Sequence, residues 1–80
     1  ADAAAAIRIL TRIVRGTTPA DPIWWRCEIE RLELLHLLGR NLDRIGPRID
    51  RLRAERADFG SEAFRRRFER LRGQVANNAK

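Results

Sequence analysis

The stretch "LLGRNLDRIGPRIDRLR", residues 37–53, decides the fold. Leu38, Leu42, Ile45, Ile49 and Leu52 recur at spacings of four, three, four and three, the rhythm of one face of a continuous helix. Gly46 and Pro47 stand inside that rhythm. Proline removes a backbone donor and clashes with the carbonyl four residues back, at a cost of about 3 kcal/mol within a helix. The glycine before it tolerates the non-helical conformation that proline favours in its predecessor. Because the apolar rhythm persists through Ile49 and Leu52, a kink is expected here rather than a reversal. Residues 47–57 then continue in roughly the same direction, bent around the core.

Upstream, the helix that enters this stretch has a clear start. Asp21 can accept hydrogen bonds from the free amides of a first turn, and Pro22 fits the first helical position, where its missing N–H is no loss. From Pro22 the helix carries two apolar stripes. One holds Trp24, Cys27, Leu34, Leu35, Leu38, Leu42 and Ile45; the other holds Trp25, Ile29, Leu32 and His36. A helix apolar on two sides lies between two neighbours. An earlier helix over residues 3–15, capped by Asp2 and closed by Gly16, supplies one of them. Downstream, "DFGSE" marks a turn in which Gly60 breaks the helix and Ser61 caps the next. That next helix, residues 61–75, has a narrow stripe of Phe64, Phe68, Leu71 and Val75, the seam spacing of antiparallel helical hairpins. No alternating apolar and polar stretch reads as a strand.

The expected fold is therefore all-α: a helical hairpin or three-helix bundle in a single domain, residues 1–80. Its long central helix spans 22–57 with a kink at Gly46–Pro47, and residues 76–80 form a frayed tail. A chain of 80 residues buries only about 60% of its unfolded-state surface, so a lone core is marginal. Cys27 is the single cysteine, which excludes an internal disulfide; with His36 it makes too few soft ligands for a structural metal site. Oligomerisation remains as a source of stability. No apolar run approaches the roughly 20 residues that span a bilayer. "ADAAAA" has neither the basic region nor the apolar core of an intact signal peptide. With no methionine present, the sequence is expected to lack its natural start. A cytoplasmic location is the expectation.

Charge is uneven. Residues 1–40 hold six arginines against five acids, or +1; residues 41–80 hold ten arginines and Lys80 against six acids, or +5. A basic half points to an anionic partner, although an arginine-rich composition alone gives the same totals. Arg40, Arg44, Arg48 and Arg51 line the side of the central helix away from its apolar seam, spanning roughly 16 Å. Guanidinium groups suit phosphate because they donate two parallel hydrogen bonds. On the last helix Arg66 and Arg70, with Arg65, Arg67 and Arg72 beside them, can extend the patch. The competing reading is a solvated face. No aromatic residue is interleaved with Arg40, Arg44, Arg48 and Arg51, so base stacking is not indicated. Acids four residues from arginines (Arg26 with Glu30, Arg51 with Glu55, Glu62 with Arg66, Arg65 with Glu69) read as helix-surface ion pairs.

Trp24 and Trp25 point about 100° apart and cannot share one environment. One joins the core; the other lies under the first helix or anchors an interface that includes Trp25, Ile29 and Leu32. Catalysis, a cofactor and a metal are not expected, because Cys27 and His36 are too few to build a nucleophile, base and orienter.

The stretch "LGRNLDRIGPRID" resembles a motif of plasmid mobilisation proteins, the small relaxosome accessory partners of a DNA-nicking relaxase. Their helical C-terminal part often reads hydrophobic–Gly–x–Asn–Leu–Asn–x–Ile. Leu38, Gly39, Asn41, Leu42 and Ile45 match, and Asp43 stands where Asn is usual. "ILTRIVRG" is similar to the end of the helix pair that precedes the motif. Pro47 departs from the pattern, and the strand that builds that family's DNA reader has no counterpart in this sequence. The resemblance implies a partner-binding, oligomerising part rather than direct base reading. The functional expectation is a small basic accessory protein that binds nucleic-acid phosphates, in first place those of DNA, within a larger complex. The alternative is a helical adaptor or oligomerisation module acting on a partner protein or as a homodimer.

Overall fold

Three of the helices, α3 excepted, begin where the chain offers a side chain to the free amides. The Asp2 carboxylate accepts from the Ala4 amide at 3.0 Å and opens α1, Ala3–Gly16. Asp21 does the same for the Ile23 amide at 3.0 Å, and Pro22 begins α2, Pro22–Leu37. The computed structural model describes residues 2–78, and two further helices follow within them: α3, Leu42–Glu55, and α4, Glu62–Asn78. Ser61 accepts from the Phe64 amide at 3.2 Å as α4 starts. No strand occurs among the described residues, so the fold is all-α.

The single long central helix is corrected to two helices. α2 stops at Leu37, ahead of Gly39, whose φ is +67°. The Arg40 amide donates to the Leu35 carbonyl at 2.9 Å and the Gly39 amide to the His36 carbonyl at 3.0 Å. That pair of bonds is the glycine-terminated helix end, which satisfies carbonyls the helix leaves open. Asn41, also left-handed at φ 55°, then stands before α3.

α3 runs through Gly46 and Pro47. Only four residues separate its first position from Pro47, and the proline deprives a single carbonyl, that of exposed Asp43, of its helical donor. A Cβ at Gly46 would stand 2.9 Å from the Arg72 guanidinium, the far end of a flexible side chain that can shift to admit it. The apolar rhythm survives the turn because Ile45, Ile49 and Leu52 face the core from α3, with Leu42 packed against it. The described residues therefore form four helices in place of three. Residues 76–78 of the expected tail continue α4, and residues 79 and 80 lie outside the described residues.

α2 is the central element. It packs on α1, α3 and α4; α3 also packs on α4, and α1 touches α2 alone. The molecule measures 34 × 30 × 18 Å, so its short dimension holds about two helix diameters. Trp25, Phe59 and Phe68 form the core's centre, with Trp25 edge-on to both phenyl rings at 6.3 and 6.2 Å and the phenyl rings stacked at 4.6 Å. Phe59 lies in the α3–α4 turn with φ 52°, a region that bulky residues avoid at a cost of about 1–3 kcal/mol; complete burial of its ring holds it there. Gly60 follows at φ +90°, and a Cβ on it would meet the Trp25 ring at 2.8 Å. The Trp25 indole donates to the Pro19 carbonyl at 2.8 Å, which fastens the α1–α2 connector to the core.

Trp25, Ile29 and Leu32 were expected at an interface; they are 1%, 0% and 2% exposed and belong to the intramolecular core. Phe59 and Phe68 cover Trp25 from the turn and from α4. Among the described residues, no helix is long and apolar enough to cross a membrane.

Candidate functional site

Among the buried positions of α2, Glu28 is the one carboxylate, and it is fully buried. At about 100° per residue it falls in the middle of the arc formed by Trp24, Leu35, Leu32 and Trp25. An uncompensated charge there would cost several kcal/mol, about 3–5 by the loss of a partner. Two guanidinium groups compensate it. Arg31, one turn along α2, places Nε at 2.8 Å and a terminal nitrogen at 2.6 Å from Oε1. Arg48, from α3, donates from Nε to Oε2 at 2.8 Å, with its guanidinium carbon 5.9 Å from the centre of the Trp24 ring. Glu28 thus fixes two arginines side by side and ties α3 to α2.

These two arginines form part of the lining of a cleft of about 580 Å³ between α2 and α3. Arg44 and Arg51 complete its basic lining; Leu32, Leu35, Ile45 and Pro47 are its apolar wall, and Asn41 and Asp43 also line it. Four arginines against Asp43 and Glu28 leave the cleft a formal +2. Arg44 and Arg51 are exposed and make no ion pair among the described residues. They lie seven residues apart on α3, about 10 Å along its axis. The arrangement can hold an anion on guanidinium edges against a partly apolar wall. Among the described residues, no three of His, Cys, Asp or Glu gather as a metal site.

The structure reshapes the expected arginine stripe. Arg44, Arg48 and Arg51 do share one cleft. Arg40 stands in the α2–α3 turn, exposed and without an ion pair, rather than on a helix. Arg48 is corrected from an outward cation to the partner of a buried carboxylate, because the helix break brings α3 back against Glu28. Arg66 is exposed and reaches Glu62 at 3.5 Å; Arg70 is exposed and unpaired and lines a different groove, between α1, α2 and α4. Neither lines the α2–α3 cleft.

Many of the remaining arginines are ties between helices. Arg67 of α4 bonds Glu33 of α2, Arg72 of α4 bonds Asp50 of α3 at 3.1 and 3.2 Å, and Arg53 of α3 bonds Glu69 of α4 at 2.8 Å. The hydrogen bond from Arg72 holds the Asp50 carboxyl below its ordinary range, and the bond to Glu33 raises Arg67 further. Of the four surface pairs expected, Arg26–Glu30 and Glu62–Arg66 form, both at 3.5 Å; Arg65 bonds Glu62 and Glu69 bonds Arg53 instead. Burial, aided by Glu30, pushes the Cys27 thiol up, which makes it a poor nucleophile.

Glu28 was missed by sequence reasoning, although a signal existed: a carboxylate centred in an apolar arc needs a cation opposite. No protein-family model, no curated protein and no solved structure matches the chain.

Proposed function

We propose that this chain is a small basic, non-catalytic accessory protein that binds nucleic-acid phosphates through the α2–α3 cleft, as one part of a larger complex. The observation that carries the reading is the concave lining of four arginines in which Arg44 and Arg51 have no acid of their own. Arg40 extends the basic edge from the turn. Trp24, Trp25, Phe59 and Phe68 are all buried, so they offer no stacking platform, which favours the backbone of duplex DNA over single strands. Phosphate contacts of this kind position a protein and carry no base sequence. A role beside a DNA-nicking enzyme, as the resemblance of residues 38–45 implies, is one setting for such a protein.

The test is a salt titration of binding to random-sequence duplex DNA. With Arg40, Arg44 and Arg51 as the contacts, log K against log salt slopes at about −3, from about −0.9 per phosphate neutralised. Replacing Arg44 and Arg51 together with glutamine flattens the slope by about 2 and weakens binding to all sequences alike. An unchanged slope in that variant refutes the reading.

A further inference from the structure

α1 is apolar along one face yet buries none of its residues completely, and it packs on α2 alone. Between it and α4 lies a groove of about 850 Å³. Ala6, Ile9, Leu10, Leu34, Leu37 and Leu71 supply its apolar lining. Ile9 and Leu37 are 59% and 76% exposed, high values for large aliphatic side chains that face the same groove. Its lining runs from Glu30 to Leu37 on α2 and from Arg67 to Gln74 on α4, about 11 Å along each axis, the length over which a partner helix makes two turns.

The charges around it choose the occupant. The two acids of the lining are engaged: Glu33 by Arg67, and Glu30 by Arg26 at 3.5 Å. Two further cations are not. Arg70 lines the groove from α4 without an ion pair, and Arg12 stands one turn along α1 from Ile9, exposed and unpaired. A second copy of this chain would bring a body of net charge +6 against these cations. We propose that the groove docks an amphipathic helix of a partner protein, with an aliphatic stripe on the floor and carboxylates along both flanks. Its lining shares no residue with the α2–α3 cleft, so the proposal does not rest on the phosphate reading.

The experiment uses a labelled synthetic helix matched to the 14 residues of α1, with leucines at helical spacing on one face and glutamates beside them. A second peptide carries lysines in place of the glutamates. Fluorescence anisotropy with the full chain should show saturable binding of the acidic peptide, and binding of the lysine peptide weaker by about tenfold or more. Ile9→Gln and Leu37→Gln should each weaken the acidic peptide about tenfold while helical circular dichroism and duplex DNA binding stay unchanged. Three results overturn the proposal: equal or no binding of the two peptides; binding that Leu37→Gln leaves untouched; or a sedimenting dimer that Leu37→Gln dissociates, which assigns the groove to a second copy. Leu37-dependent binding to vesicles of anionic phospholipid, without binding to the peptide, overturns it as well.

Discussion

Replacing Glu28 with glutamine should lower stability by about 2–3 kcal/mol and strengthen DNA binding at the same time. The substitution keeps the shape of a fully buried side chain. It removes the charge that Arg31 and Arg48 approach at 2.6 and 2.8 Å, and it turns an N–H₂ group toward one of the two guanidinium groups. Each hydrogen bond to a charged group is worth about 1.5–3 kcal/mol, and one of them is lost outright while the other keeps a neutral acceptor. The two arginine side chains are 20% and 33% exposed, so water recovers part of their solvation and the full penalty of breaking a buried pair, about 3–5 kcal/mol, is not reached. For a domain of this size, with a total stability of about 4–12 kcal/mol, the loss lowers the melting temperature by about 10–20 °C. Urea unfolding followed by circular dichroism measures it, and an unchanged m value shows that the native state stays compact. Meanwhile the formal charge of the cleft rises from +2 to +3, because Glu28 no longer offsets one of the four arginines. Duplex DNA at low salt should then bind the less stable protein more tightly. A loss under about 1 kcal/mol would be that of an exposed pair and would refute the buried triad. Weaker DNA binding by a folded variant would refute the link between triad and cleft.

The helix break and the interhelical ties make two further predictions. Pro47→Ala should stabilise by about 1–2 kcal/mol, since it restores a helical donor within α3 at a modest entropic cost in the unfolded chain; Gly39→Ala should destabilise by about 1–2 kcal/mol through its φ of +67°, and the reverse pattern in urea unfolding would move the turn to Gly46–Pro47. Asp50, held below its ordinary range by Arg72, contributes stability that is present above the unfolded carboxylate value, about 3.9, and is lost as pH falls through its folded value; Asp50→Asn should therefore flatten the acid limb of a stability-against-pH curve, and an unchanged limb would show the pair to be absent in solution.

The starts of α1, α2 and α4 were legible because caps are local; α3, whose start has no side-chain cap, was not. Asp2, Asp21 with Pro22, and Ser61 each announce a first turn within three residues, and each makes the bond its chemistry implies. The break at Gly39 was equally local, a glycine followed two residues later by asparagine, but a stronger-looking breaker at Pro47 drew the expected kink to itself and left Gly39 inside one long helix. Periodicity did not arbitrate: a turn over residues 38–41 leaves Leu38, Leu42 and Ile45 at helical spacing in sequence while separating two helices in space. The fate of the arginines was not local at all. Arg48 meets Glu28 across 20 residues and Arg67 meets Glu33 across 34, partnerships that only the packing of α2 against α3 and α4 creates. The burial of Trp25 likewise depends on Phe59, whose backbone conformation no propensity argument assigns to a phenylalanine.

Those partnerships also explain where positive charge is left over. α2, α3 and α4 each carry acids, and each packed pair among them is joined by at least one arginine–carboxylate contact. α1 has three arginines, Arg8, Arg12 and Arg15, and no acid within its 14 residues; it faces α2 alone and none of the three is paired. Free cations therefore gather in two places that the ties do not reach: along α1 and Arg70 beside the apolar groove, and at Arg40, Arg44 and Arg51 around the α2–α3 cleft. A net charge of +6 spread evenly would give only weak, nonspecific attraction. Divided in this way, it gives one face with guanidinium edges over a concave wall and another with an apolar floor between cations. The first is the face proposed for phosphates and the second the face proposed for an acidic helix. Because the two share no lining residue, the surface leaves room for both proposed contacts at once.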